Sequence, residues 1–319
     1  MAMTLVQAGY LSQDVLQRGI IELFVRDDPI LEKLPFVECL GNGITYNVET
    51  TEATAQFYDV GETWVESTFT TTPATAVLKI LGGDADVDNY LLKTRSNIND
   101  LKQEAINAKI KALKYQFMTK FYYGYLAGNT KEFDGLHKLL NSTTYNTIAV
   151  GTNATTPGAL TMLKLEEAVD KVKGFNPDLM VMSKQLRRYI NRYLIAAGGV
   201  THEDRANRRV QTIFGIPVGV SDYISDNENC NQLLGSTYGY EPTTPTAAGD
   251  GATTIFILSF DPKGCCGVQA GSMEIEEFPK LETKDASRHR IKWYASLMLQ
   301  NILSCSKVTG IDVDGTVAV

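Results

Sequence analysis

The sequence predicts a mixed α+β fold that combines a projecting hairpin, one long helix and a region of alternating helices and strands. A polar, threonine-rich segment lies between two strand-like runs at 44–81, and apolar side chains with helical spacing run over 97–123. From 160 to 260, apolar runs typical of buried strands alternate with amphipathic helical patterns. We find no internal repeat and no linker that would separate independent domains.

Composition excludes several classes of protein. The 319 residues, 44% of them apolar, can bury one large core or two moderate ones. No segment reaches the ~18 consecutive apolar residues of a membrane helix, and the start of the sequence lacks the pattern of a secretory signal, so we expect a chain made and kept in a cytoplasm. The net charge of -7 argues against a protein that coats nucleic acid through clustered cations.

The N-terminal part predicts an amphipathic arm followed by a long hairpin. Ser12 is a suitable N-cap for a helix that Asp27-Asp28-Pro29 would end, and Ile44 to Val48 alternate as a strand does. The next segment, 49–75, is rich in threonine and aromatic residues but too polar for a core strand pair. We therefore predict a projecting hairpin with Gly61 near its tip, lying on a neighbouring subunit because such a hairpin is unstable alone.

Apolar spacing predicts a long helix from Asn97 to about Tyr123, capped by Ser96. Two neighbouring rows of apolar side chains make its stripe too broad for a coiled-coil seam. The rows are Ile98, Leu101, Ala105, Ala108, Ala112 and Tyr115, and beside them Ile106, Ile110, Leu113, Phe117 and Phe121. Such a helix would span about 40 Å.

The second half predicts an α/β region and a final long strand. Helices are expected at 160–173 and after Ser183, strands at 178–182, 214–220 and 253–260, and loops at 141–157 and 236–251. The apolar residues of 288–305 have a spacing that fits either a strand or a helix. Its aromatic residues favour the strand.

The motif search predicts no catalytic, cofactor or metal site, and hence no enzyme. Phosphate-binding loops, dinucleotide fingerprints and nucleophile elbows are absent. The five cysteines lack C-x-x-C spacing and are predicted to be buried free thiols. Asp84, Asp86 and Asp88 alternate as at the start of a calcium loop, but Asn89 and Arg95 stand where that loop needs glycine and glutamate.

An arginine cluster leaves two interpretations open. It provides either a nucleic-acid patch or a surface for salt bridges between subunits. Its members are Arg187, Arg188, Arg192, Arg205, Arg208 and Arg209.

The order of arm, hairpin, long helix, α/β region and final strand resembles the tailed-phage major capsid proteins, whose fold encapsulins share. Local phrases agree over essentially the whole chain. They are Phe133-Asp134-Gly135-Leu136, Met180-Val181-Met182-Ser183, Phe214-Gly215-Ile216-Pro217-Val218 with Ser221-Asp222, and Arg288-His289-Arg290-Ile291-Lys292-Trp293-Tyr294.

The resemblance implies a division of the chain and a function. The expected parts are an N-terminal arm (1–43), an extended hairpin loop (44–82), a peripheral domain with a spine helix (83–133 and 271–300) and an axial domain (134–270 and 301–319). The expected function is self-assembly into pentamers and hexamers of an icosahedral head shell that encloses phage DNA without sequence-specific binding. No cofactor and no membrane are implied, and the expected location is the virion capsid, assembled in the host bacterial cytoplasm.

The resemblance also concerns other partners. Some relatives carry a fused scaffolding segment and this sequence shows none, so we expect either a separate scaffolding protein or unaided assembly. A portal and cement proteins are the further partners that the resemblance allows. Some relatives crosslink a hairpin lysine to a neighbour's asparagine, but 51–72 contains no lysine, so we predict no such crosslink.

Charge suggests which surfaces meet between subunits. From 51 to 72 the hairpin is acidic and contains no lysine or arginine, whereas 280–292 is rich in both. The two segments would therefore steer each other, unless both are simply solvated faces. The candidate contact residues are Glu52, Phe57, Tyr58, Asp59, Glu62, Trp64, Glu66, Lys280, Lys284, Arg288, Arg290 and Lys292. The rival functions are an encapsulin-type compartment and an α/β hydrolase or binding module.

Overall fold

The computed structural model describes residues 29–89, 98–141, 145–151, 156–197, 201–205, 208–228, 251–279, 281 and 284–313. The predicted arm helix, the N-cap Ser96, Lys280 and nearly all of the predicted loop 236–251 lie outside these ranges.

Within the described residues the chain forms five α-helices and fourteen strands. The helices are α1 (Pro29–Lys33), α2 (Ile98–Tyr123), α3 (Leu136–Leu139), α4 (Met162–Asp170) and α5 (Lys184–Ala197), with a 3-10 turn at Ile302–Ser304. The strands are β1 (Phe36–Glu38), β2 (Gly43–Thr51), β3 (Thr70–Val77), β4 (Lys79–Asp88), β5 (Thr147–Ala149), β6 (Leu179–Met182), β7 (Thr201–Arg205), β8 (Arg208–Ile213), β9 (Ile216–Val220), β10 (Ala252–Leu258), β11 (Cys265–Gln269), β12 (Glu274–Phe278), β13 (Ala286–Leu299) and β14 (Ser306–Asp312). No described helix is long and apolar enough to cross a membrane.

A five-stranded sheet is built around the long strand β13. Strand β4 pairs along one edge of β13, β12 and β11 pair along the other, and β1 adds to β11 in parallel. The alternating side chains Ile291, Trp293 and Ala295 are buried on one face. The prediction of a strand near the C-terminus is therefore confirmed.

Helix α2 lies against this sheet and ends in the core. Its 26 residues span about 39 Å. Phe117 and Phe121 are fully buried, and the rings of Phe117 and Trp293 are 4.7 Å apart. The second predicted apolar row is buried, but Ala108, Ala112 and Tyr115 of the first row are exposed. The buried face of the helix is therefore narrower than predicted. Regularly spaced alanines show that a helix face could pack against another element, but they do not show that an element covers that face.

A seven-stranded sheet forms the second body, in the order β5-β14-β10-β6-β9-β8-β7. One face, including Phe256 and Leu258, joins the core that contains α2, whereas Ile255 and Ile257 on the other face pack beneath α4 and α5. Every residue of β10 is buried, because both of its faces are covered.

Local structure differs from the predictions at three places, the first being β5, which lies inside the predicted loop 141–157. Phe214 was predicted to begin a strand, but Phe214 and Gly215 have φ values of 53° and 76° and form the turn between β8 and β9. Two positive φ values suit a two-residue hairpin turn, which alternation cannot reveal. The helix predicted at 160–173 is limited to α4, where Thr161 caps its start by accepting the amide of Lys164. Ser183 caps α5 as predicted, accepting the amide of Leu186 at 3.2 Å.

Candidate assembly interface

The hairpin of β2 and β3 extends into an irregular loop at 52–69 that folds on itself. Ser67 Oγ accepts the amide of Thr54 at 2.9 Å, linking the two arms of the loop. The rings of Tyr58 and Trp64 stack with centroids 4.6 Å apart. Gly61 has a φ of 93° at the tip, as its predicted place in the turn requires.

Large apolar side chains on this loop are exposed to water. Phe57 and Val60 are as exposed as in an extended chain, and Trp64 retains 80% of its surface. Several large apolar side chains exposed on one loop are typical of an interaction site in soluble proteins. The loop is therefore the principal candidate contact surface of the described residues.

The acidic residues of the loop have two roles. Asp59 and Glu62 shape the turn, since Glu62 Oε2 accepts the amide of Asp59 at 3.0 Å and Asp59 Oδ1 accepts that of Val60 at 2.8 Å. Glu52 and Glu66 are exposed and make no ion pair with any residue that the structure describes. Their charges are available to a partner.

The arginines predicted to receive the hairpin already have acidic partners on the neighbouring strand. Arg288 holds Asp86 through two hydrogen bonds of 2.7 and 2.8 Å, and Arg290 holds Asp84 through two of 2.7 and 2.9 Å. Hydrogen bonding from Arg290 lowers the pKa of Asp84. Lys292 donates to Glu276. The basic side chains of β13 are therefore largely neutralised by acidic side chains of β4 and β12 within the same chain.

This pairing changes the charge argument for the predicted contact. Lys284 is exposed, but Arg288 and Arg290 are not free to attract the hairpin, because their acids lie directly opposite them across β4 and β13. Sequence inspection missed the pairs because 202 residues separate Asp86 from Arg288. The contact itself remains a prediction, without the electrostatic support that the sequence suggested.

The same pairs explain the alternating aspartates. Asp84, Asp86 and Asp88 lie on β4, where the first two bind arginine side chains instead of a metal ion. Among the described residues no group of His, Cys, Asp and Glu is arranged to hold a metal ion.

The predicted arginine cluster is divided between α5 and the β7–β8 hairpin. Arg187, Arg188 and Arg192 lie on α5, and Arg205, Arg208 and Arg209 lie on the two strands. Arg188 and Arg192 are exposed and line, with Gln185 and Tyr189, a surface depression of about 300 Å³.

A buried polar cluster escaped the sequence analysis. Glu228 accepts hydrogen bonds from Tyr123 Oη at 2.5 Å and from Thr254, and its carboxylate lies 3.4 Å from His137 Nε2. The buried Lys307 donates to the carbonyl of His137 at 2.9 Å. Burial lowers the pKa of Lys307 to about 7 and also lowers the pKa of His137, with Glu228 opposing both effects.

This cluster joins elements that are distant in sequence. It links the end of α2 to α3, β10 and β14, and so ties the two bodies of the protein together. No sequence signal indicates it, because isolated polar residues from five segments meet only after folding.

The described cysteines are buried free thiols, as predicted. They are Cys39, Cys265, Cys266 and Cys305, while Cys230 lies outside the described residues. Hydrogen bonding to Cys305 and burial raise the pKa of Cys265, which disfavours its reactive thiolate form.

Comparison with known proteins agrees with this architecture. Residues 12–159 match the family model described as Major capsid protein GP7. No curated protein matches the sequence.

Solved structures share the fold at low sequence identity. The holo-SrpI encapsulin complex from Synechococcus elongatus is similar with a TM-score of 0.64 and 15% identity, over 91% of this chain and 89% of the other. The capsid of a native GTA particle has a TM-score of 0.63 and 10% identity, over 88% and 89%. A Mycobacterium phage Adephagia structure has a TM-score of 0.55 and 14% identity, over 100% and 99%.

The family match and the fold comparison agree in part, since both include capsid proteins. The shared fold covers about nine tenths of the chain. The match at 12–159 covers just under half of the chain, and the architecture is the fold that phage capsid proteins and an encapsulin share.

Proposed function

We propose that the protein assembles into pentamers and hexamers of a closed icosahedral shell around phage DNA, with each hairpin clamped on a neighbouring copy. The observation that carries this proposal is the exposure of Phe57, Val60 and Trp64 on one projecting loop. Such side chains are removed from water only if another molecule covers them.

The size of the apolar surface is sufficient to contribute strongly to assembly. Each large aromatic side chain carries about 150–250 Å² of surface. Burial of Phe57 and Trp64 would therefore remove roughly 300–400 Å² from water, equivalent to roughly 8–10 kcal/mol per hairpin before the cost of association is subtracted.

The internal order of the loop supports a docking role. The Tyr58–Trp64 stack and the Thr54–Ser67 hydrogen bonds hold the loop in one shape before it meets a partner. Preorganisation of this kind lowers the ordering cost of association.

The test measures particle formation by the full chain. Light scattering and negative-stain microscopy of the wild-type protein should show uniform shells of megadalton mass. The double variant Phe57→Ala/Trp64→Ala should remain folded by circular dichroism but form few shells. The matched control Trp64→Phe keeps an apolar ring and should still assemble.

The contents and chemistry of the particles complete the test. Nuclease-protected DNA in particles from infected or packaging cells supports the proposal, whereas shells that enclose an enzyme and no DNA would indicate an encapsulin-type compartment. In a denaturing gel the shells should give one band, because 51–72 offers no lysine for a crosslink. A wild-type chain that stays monomeric at high concentration and varied salt would overturn the proposal.

A further inference from the structure

Helices α4 and α5 cover the same face of the seven-stranded sheet at different places. Leu165 of α4 and Leu186 of α5 belong to one core with Ile255. Helix α4 lies over β5 and β14, since Ser306 Oγ donates to the carbonyl of Ala168 at 2.6 Å. Helix α5 lies near β8, to which Asn191 is joined by a hydrogen bond from Gln211.

The outer side of α4 carries an acidic stripe, defined as Leu163, Glu166, Glu167 and Asp170. The spacing i, i+3, i+4, i+7 places these side chains on one helical face, opposite the buried Leu165. All four are exposed, and Leu163 retains 73% of its surface.

The outer side of α5 carries a basic stripe, defined as Arg188, Arg192 and Ile195. Their spacing i, i+4, i+7 also places them on one face, and Ile195 retains 67% of its surface. Each stripe covers seven residue steps, about 10 Å along its helix.

The charges of both stripes lack partners within the described part of the chain. Lys164 of α4 and the C-cap residue Lys171 turn away from the acids, because they donate to carbonyls of β5 at 3.4 and 3.2 Å. The two stripes of one copy are also apart, since four strand spacings separate β14 from β8, about 19 Å.

We propose that the acidic stripe of one copy docks antiparallel on the basic stripe of a neighbouring copy. In that arrangement Leu163 contacts Ile195, the glutamates contact Arg192, and Asp170 contacts Arg188 at the depression beside Tyr189. The partner is a second copy of this chain, so the inference rests on the proposed function.

Charge and polarity favour a second copy over nucleic acid. The acidic stripe has the same length as the basic stripe, the complementary charge and an apolar residue at the end that antiparallel docking requires. A nucleic acid would use only the arginines, and the carboxylates about 20 Å away on the same face would repel its backbone.

Charge reversal in the full chain tests the contact. The variants Arg188→Glu/Arg192→Glu and Glu166→Lys/Glu167→Lys should each reduce the yield of shells roughly tenfold. The variant with all four changes should recover most of the wild-type yield, because the charges are exchanged and remain complementary. The control Arg188→Lys/Arg192→Lys keeps the charge and should assemble normally, and thermal unfolding should show that every variant folds.

A disulfide test separates this inference from the wider proposal. The double variant Leu163→Cys/Ile195→Cys should form disulfide-linked oligomers on mild oxidation, whereas Leu163→Cys alone should not, even if wild-type shells never close. Absence of those disulfides, wild-type yield from either charge-reversed variant, or no recovery with all four changes would overturn the inference. Normal shells with lost duplex-DNA binding in Arg188→Glu/Arg192→Glu would also overturn it and assign the basic stripe to nucleic acid.

Discussion

The buried Lys307 makes a specific prediction about stability and pH. Its side chain is almost fully buried, and burial lowers its pKa from 10.5 to about 7. A lysine in the unfolded chain keeps the ordinary pKa. Between pH 7 and about pH 10 the unfolded chain therefore binds more protons at this position than the native protein does.

The sign and the magnitude follow from proton linkage. Because the unfolded chain holds the proton more tightly, raising the pH through this window favours the native state by about 1.4 kcal/mol per pH unit. The accumulated effect between pH 7 and pH 10 is on the order of 4 kcal/mol. Below pH 7 both states are protonated, and the full cost of the buried ammonium remains.

The perturbation is Lys307→Met, which removes this titration. Free energies of unfolding of the unassembled subunit are measured by urea denaturation at several pH values, with the fluorescence of the buried Trp293 as one signal. The wild-type protein should gain stability relative to Lys307→Met as the pH rises from 7 to 10. Titrating groups distant from Lys307 are common to both proteins and cancel in the difference.

A control and a second cycle sharpen the test. Lys263 is exposed, so Lys263→Met should leave the difference from wild type independent of pH. At pH 6 a double-mutant cycle with Glu228→Gln should show roughly 1–3 kcal/mol of coupling between Lys307 and Glu228. A difference between wild type and Lys307→Met that is flat or falls over pH 7–10 would refute the reasoning.

Three further predictions concern packing and ion pairs. Gly135→Ala should destabilise the subunit by roughly 2 kcal/mol or more in urea denaturation, because a Cβ there would lie 2.6 Å from the backbone nitrogen of Gly124; unchanged stability would contradict the close approach. Phe117→Ala should cost about 3–5 kcal/mol by leaving a core cavity, and a loss under 1 kcal/mol would show that the site collapses. Asp84→Asn should cost under about 1 kcal/mol at neutral pH because its pair with Arg290 is partly exposed. The lowered pKa of Asp84 contributes stability to the native state at neutral pH, and this contribution is lost as the pH falls through that pKa. In Asp84→Asn the free energy of unfolding should therefore depend less on pH in the acid range than in the wild-type protein. An unchanged dependence would refute this contribution of Asp84.

Local patterns in the sequence were sufficient to predict most elements. The 26-residue helix α2, the buried strand β10 and the capped start of α5 each depend on spacing or capping within one segment. The hairpin and its exposed tip were also predictable, because threonine and aromatic residues favour strands while the polar content excludes a core position. The order of these elements carried the resemblance to capsid proteins.

Partners across long sequence separations were not predictable in the same way. Alternation shows that β13 has a buried face, but it does not show that β4 is its neighbour, so the pairing of Arg288 with Asp86 was missed. The same reason hid Glu228 and Lys307, whose residue types are ordinarily exposed and which become buried only where several segments meet.

The sequence by itself determined the long helix, many of the strands and the presence of an acidic projecting hairpin, and its order of elements indicated a resemblance to capsid proteins. Only the tertiary structure decided which charges remain free for assembly. It neutralises Arg288 and Arg290 against β4 and leaves Arg188 and Arg192 exposed on α5. The physical reason is that a charged side chain can bind another subunit only if no opposite charge lies beside it in the folded chain. Strand pairing, and not position along the sequence, decides which residue lies beside it.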